Sequence, residues 1–98
     1  MPRSVSHDRY LPGLLKDHRR AKAYLKAALE DDDPRVFLLA LRNVAQARGM
    51  SKVATQSKLN RESLYKILSK RGNPSLQSLA ALLNSLGLRL TVVSKDAA

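Results

Sequence analysis

Side chains that could run a reaction are few in this sequence, and their spacing does not assemble them. No spacing ties His7 and His18 to a nucleophile or a metal-ligand set. Cysteine is absent, which removes disulfides and thiolate metal sites. Most serines stand where helices should begin, and there capping explains them without catalysis. The acidic run Glu30, Asp31, Asp32, Asp33 has the oxygen chemistry of a hard-cation site. Its simpler reading is structural: Asp33 before Pro34 fits an N-cap followed by the favoured proline at the first helical position. The expectation is a protein that is not an enzyme, with no catalytic residues, metal or cofactor.

The chemistry that the sequence does offer is recognition of a polyanion. A formal net charge of +10 and a pI near 10.6 surround the 98 residues with a positive field. Nucleic acid is the leading partner class. An anionic membrane surface is the rival, but no apolar run approaches the roughly 20 residues needed to span a bilayer, and the N-terminus lacks a secretory apolar segment. A cytoplasmic protein with no membrane partner is expected. Residues 51 to 98 hold eight basic side chains against the acids Glu62 and Asp96, and most of those basic groups lie between Lys52 and Arg71.

That region carries the most informative stretch, Met50 to Ser69, MSKVATQSKLNRESLYKILS. A helix-turn-helix needs a small residue where its helices touch, apolar residues on the inner faces, a sharp turn, and a polar outer face on the second helix. Ala54 is the small residue, Val53, Leu59, Leu64 and Ile67 fall at the core positions, and Arg61, Glu62, Ser63, Tyr65 and Lys66 remain to face outward. Two positions depart from the pattern: Lys58 stands where the turn usually has glycine, and Ser57 where an apolar residue is common. A positive φ at Lys58 would carry a strain of about 1 kcal/mol. The plain alternative is a helical hairpin whose basic residues form a solvated face. If the motif is real, the helix from Arg61 enters the major groove, where Arg61 suits guanine and Glu62, Ser63, Tyr65 and Lys66 read bases or phosphates according to depth. Asn60 either contacts a base or caps the helix, and Tyr65 either reaches DNA or packs its ring against the core. Ser51 and Lys52, at the start of the preceding helix, are placed for phosphate.

The elements that must position these residues follow from periodicity and punctuation. With only four aromatic residues, the core is built from Leu, Val and Ala, a composition that favours helices. Asp17 caps a first helix with Ala21, Tyr24, Leu25, Ala28 and Leu29 at helical spacing. Arg19 and Arg20 sit oddly at its positive end. A second helix runs from Pro34 to about Arg48, with Val36, Phe37, Leu39, Ala40, Leu41, Val44 and Ala45 wide enough to be buried on several sides, as befits the central helix. Gly49 ends it, Ser51 caps the next, Asn60 caps the helix to about Lys70, and Gly72 supplies its exit. Ser75 caps a last helix with Leu76, Leu79, Leu82, Leu83 and Leu86 on its apolar face, stopped by Gly87. Leu88, Leu90 and Val92 then alternate with Arg89 and Thr91 as a short strand, which needs a partner and so suggests dimerisation with a second copy. The expected architecture is all-α, with five helices, an arm over 1–16, a DNA-binding domain over 17–93 and a tail over 94–98.

The stretch DPRVFLLALRNVAQARGMSKVATQSKLNRESLYKILSKRGNPSLQSLAALLNSLGLRL, with the preceding AKAYLKAALEDDDP, resembles the addiction-module antidote proteins, HigA-like antitoxins of the lambda-repressor-like helix-turn-helix class. The resemblance runs from about Tyr24 to Leu90. It implies a compact five-helix repressor-like domain, often dimeric, that binds double-stranded operator DNA at its own promoter and neutralises a small RelE/ParE-like toxin encoded beside it. By position, Arg61, Glu62, Ser63, Tyr65 and Lys66 match the exposed recognition segment, whereas no motif fixes the toxin contacts. Such toxins tend to be basic and would be repelled by a +10 chain at long range. The acids at 30–33, or the arm through Leu11, Leu14 and Leu15, are the candidate toxin contacts. Two other functions share the charge: a phage-type regulator without a toxin, and an RNA-binding protein, the latter disfavoured by the lack of exposed aromatic pairs.

Overall fold

The computed structural model describes residues 13–69 and 71–96, which form five helices preceded by a helical turn at 13–15. Residues 1–12, most of the expected arm, lie outside the described region. Leu15, expected as a toxin contact, is instead buried in the core.

Helix α1 (His18–Leu29) begins at Asp17, whose carboxylate accepts the Arg19 N–H at 2.9 Å. The same carboxylate lies 3.8 Å from Arg20, which offsets the misplaced basic charge at this end. Ala21, Leu25 and Ala28 turn inward against α2 (Pro34–Arg48). Asn43 on α2 donates a 2.8 Å hydrogen bond to the Tyr24 hydroxyl and fixes the two helices in register.

The acidic run between them is used locally. Asp33 caps α2 through the Arg35 N–H at 2.9 Å, Pro34 follows at the first turn, and Asp31 accepts the Asp33 N–H. The Arg35 guanidinium also grips the Asp33 carboxylate at 2.9 Å, and this hydrogen bond holds the Asp33 carboxyl below its ordinary value of 3.8. Its contribution is therefore complete above that value and fades as pH falls through the depressed one. Asp33→Asn keeps a capping oxygen but loses the ion pair. Its melting temperature should lie below that of the wild type near neutrality and converge with it in acid, and a constant gap would contradict this account.

Gly49, at φ 100°, ends α2 and directly precedes α3 (Met50–Ser57). A side chain at that φ would be strained, and glycine allows a one-residue junction. The expectation that Ser51 caps α3 is corrected: the cap lies two residues earlier, at Gly49, without a side-chain bond, and the Ser51 carbonyl accepts from the Thr55 hydroxyl. Met50, Val53, Ala54 and Ser57 are buried, and α3 packs on α2 and on the two helices that follow. The hub is thus α3 as much as the longer α2. The hydroxyl of Ser57, the unusual polar residue here, is satisfied by the Val53 carbonyl at 2.7 Å.

Lys58 does take the left-handed conformation, at φ 61° and ψ 27°. The Leu59 N–H reaches the Ala54 carbonyl at 3.0 Å and the Lys58 N–H reaches Thr55, closing a Schellman turn that demands this geometry. Lys58→Gly should therefore stabilise the fold by about 0.5–1 kcal/mol, or roughly 2–6 °C in melting temperature. Calorimetry giving an unchanged or lower melting temperature would mean that the turn holds lysine without strain.

Helix α4 (Arg61–Ile67) starts at Asn60, and α5 (Leu76–Ser85) at Ser75, whose hydroxyl accepts the Ser78 N–H at 3.0 Å. Leu82, Leu83 and Leu86 are buried, but Leu76, expected on the same face, is 72 % exposed at the first position of α5. Val36 and Leu39 are likewise exposed, Leu39 at 55 %. The fully buried residues of α2 begin at Ala40, with Phe37 packed on the edge of the core. With Arg35, Arg42, Leu68 and Ser69, Val36 and Leu39 line an open cleft of about 350 Å³.

The expected C-terminal strand is absent among the described residues. The Leu88 N–H folds back onto the Leu83 carbonyl at 2.8 Å behind Gly87, and Leu88 packs against the core as the hydrophobic residue of a second Schellman turn. Beyond it Leu90 and Val92 are exposed, Val92 at 94 %. Alternation of residue types reads as a strand, but a strand also needs a hydrogen-bonded neighbour, and the described residues of one copy supply none.

Candidate nucleic-acid interface

Two short helices, α3 and α4, pack on each other across the connection 58–60. Val53, Ala54 and Leu64 are fully enclosed between them and the rest of the core, and Leu59 and Ile67 pack on its edge. Leu64 and Leu68 fix the inner face of α4. At 100° per residue, Glu62 and Lys66 must then lie on its outer side, with Arg61 and Tyr65 on one flank and Ser63 on the other. Exposure agrees: Asn60, Arg61, Glu62 and Lys66 are exposed, whereas Ser63 and Tyr65 are half-buried.

At Asn60 and Tyr65 the structure shows the capping and core-packing roles. Asn60 Oδ1 accepts the Ser63 N–H at 2.7 Å, so its carbonyl end is committed to the cap while its amide nitrogen remains free to donate. Tyr65 packs its ring on the core, and the Arg61 guanidinium carbon stands 5.7 Å from the ring centroid. Both residues lie one turn apart on the same helix face. Ser51 and Lys52 are exposed on the first turn of α3, where the absence of a side-chain cap leaves helix N–H groups unclaimed. The structure thus gathers Asn60, Arg61, Glu62 and Lys66 on the exposed side of α4, with Ser63 and Tyr65 at its margins. Leu88, Leu90 and Val92 lie on the segment after α5 and belong to no common buried surface.

Sequence reasoning missed Arg42. It stands on α2, yet its guanidinium carbon lies 6.0 Å from the centroid of the same Tyr65 ring. Nothing in the linear pattern connects these residues, because they meet only where α2 and α4 both pack on α3.

Comparison with known proteins decides the family. The family described as "Probable addiction module antidote protein" matches residues 10–94, nearly the whole chain. The chain belongs to that family. Its role is accordingly that of an antidote, with a toxin partner of some kind. The chain is also 35% identical over 78 residues to an uncharacterized protein of Haemophilus influenzae, an alignment covering 80% of each. No solved structure gives a significant match. Among the described residues, no helix is long and apolar enough to cross a membrane.

Proposed function

We propose that this antidote protein is the antitoxin of a two-gene module. In this reading it binds its own operator as a dimer through a lambda-repressor-like helix-turn-helix formed by α3 and α4, and neutralises a RelE/ParE-like toxin in the cytoplasm without catalysis, metal or cofactor. The observation that carries the DNA half is the seating of α4: Leu64 and Leu68 are buried while Arg61, Glu62 and Lys66 project outward from a strongly basic chain. A helix so held presents donors and acceptors that match base edges in a major groove. Asn60 adds a free amide, and Ser51 and Lys52 at the open start of α3 suit the flanking phosphates.

Family membership supports the toxin half. Expression of the adjacent small open reading frame, alone and with this chain, tests it. Growth arrest by the neighbour, relieved by co-expression and accompanied by a co-purifying complex, is the expected result. A harmless neighbour, or arrest that this chain does not relieve, would remove the toxin from the account.

The dimer rests on the exposed Leu90 and Val92, which alternate along the segment after Leu88. Such a segment pairs readily with its counterpart in a second copy. Leu90→Lys should then shift sedimentation from dimer towards monomer while leaving the helical circular dichroism intact. A dimer of unaltered strength would place the contact elsewhere.

A further inference from the structure

Two guanidiniums converge on one ring at the edge of the proposed recognition helix. Arg42 approaches Tyr65 from α2, with its guanidinium carbon 6.0 Å from the ring centroid. Arg61 approaches from one turn earlier on α4, at 5.7 Å. Both distances fall within the range at which an aromatic quadrupole attracts a cation. The ring itself is anchored, because Tyr65 packs against the core. Ring attraction does not neutralise the charges. Among the described residues the ion pairs are Arg20 with Asp17 and Arg35 with Asp33, so no carboxylate there offsets Arg42 or Arg61. Both guanidiniums therefore keep their charge for an anion brought to this edge of the protein.

We propose that Arg42 binds a backbone phosphodiester of the DNA duplex, and that Tyr65 is the positioning residue holding Arg42 against the backbone and Arg61 towards the bases. The assignment rests on the operator reading of α4 and extends the interface to α2. A guanidinium suits the task, since its planar donors grip two phosphate oxygens while its face stays on the ring. The two arginines then divide the work. Arg42 fixes register without reading sequence, and Arg61 reads it from a side chain already restrained.

Anisotropy titrations of the full chain test this, using a duplex from the region upstream of its gene, a scrambled duplex, and salt from about 0.1 to 0.4 M. Arg42→Gln should bind both duplexes about fivefold more weakly near 0.15 M, with a salt slope shallower by about 0.9 and an unchanged native-to-scrambled ratio. Arg42→Lys should keep the slope, because the charge remains, but recover only part of the affinity, because an ammonium cannot grip two oxygens from the ring face; a purely structural role for the side chain would not keep the slope. Tyr65→Phe should behave like the wild type. Tyr65→Leu should lose the slope increment of Arg42 and also reduce the native-to-scrambled ratio, because Arg61 loses its platform.

An unchanged slope in Arg42→Gln, with folding confirmed by circular dichroism, would overturn the site, and so would equal losses in the two Tyr65 variants. Wild-type binding that favours neither duplex would remove the operator reading, while the slope comparison would still judge the phosphate contact. A preference for an RNA duplex of the same sequence, or no binding to any duplex, would overturn the DNA site itself.

Discussion

Leu64→Ala is expected to destabilise the fold by about 2–5 kcal/mol, enough to consume much of the roughly 5–15 kcal/mol typical of a whole domain. Leu64 is 0% exposed, so truncation leaves a cavity rather than a surface notch. The location makes the effect more than a loss of packing. Helix α4 has seven residues, fewer than an isolated helix needs to persist in water, so its existence depends on the side chains that hold it against the core. Asn60 secures its start and Leu64 its middle. Urea denaturation should show a much lower midpoint with little change in slope, and duplex binding should weaken in proportion to the unfolded fraction. A loss below about 1 kcal/mol would mean that the α3–α4 seam collapses around the cavity and that the helix is held by other contacts.

Arg61→Ala should cost about 1–3 kcal/mol at the native duplex, roughly 5- to 150-fold in affinity, and relax the preference at one base position. The side chain is exposed at the first turn of α4, no carboxylate among the described residues holds it, and its contact is the Tyr65 ring, so its removal should cost stability no more than about 0.5–1 kcal/mol. This separates it from Leu64→Ala, where binding and stability fall together. Selection of bound duplexes from a pool randomised around the site would reveal the relaxed position. Equal affinity and an unaltered consensus would exclude Arg61 from base reading and leave Glu62 and Lys66 as the outward candidates.

The parts of this fold that were legible in the sequence are those governed by local chemistry. Asp17, Asp33, Asn60 and Ser75 cap the helices they were expected to cap, because a short polar side chain beside an apolar-periodic segment has one good use. Lys58 was identifiable as a strained turn residue from its register relative to Ala54 and Leu64. Ser51 misled because the same residue type is a good cap, while the deciding fact, a one-residue junction at Gly49, is a matter of backbone geometry. Periodicity marked Val36, Leu39 and Leu76 as apolar but could not say how far along each helix its neighbours extend, and all three are exposed. Alternation after Gly87 likewise named side-chain types without supplying a strand partner. Arg42 is the clearest case on the functional side, since its meeting with Tyr65 exists only once α2 and α4 are both packed on α3.

The central claim is that the outer side of α4 reads a specific duplex. Its most direct test is equilibrium binding of the purified chain to its own upstream DNA and to a scrambled duplex of equal length, at about 0.15 M salt and again at higher salt. Binding to the native sequence should be tight, with at least roughly a thousandfold preference. Equal and steeply salt-sensitive binding to both would contradict it, and would reduce the interface to the non-specific attraction of a chain carrying +10.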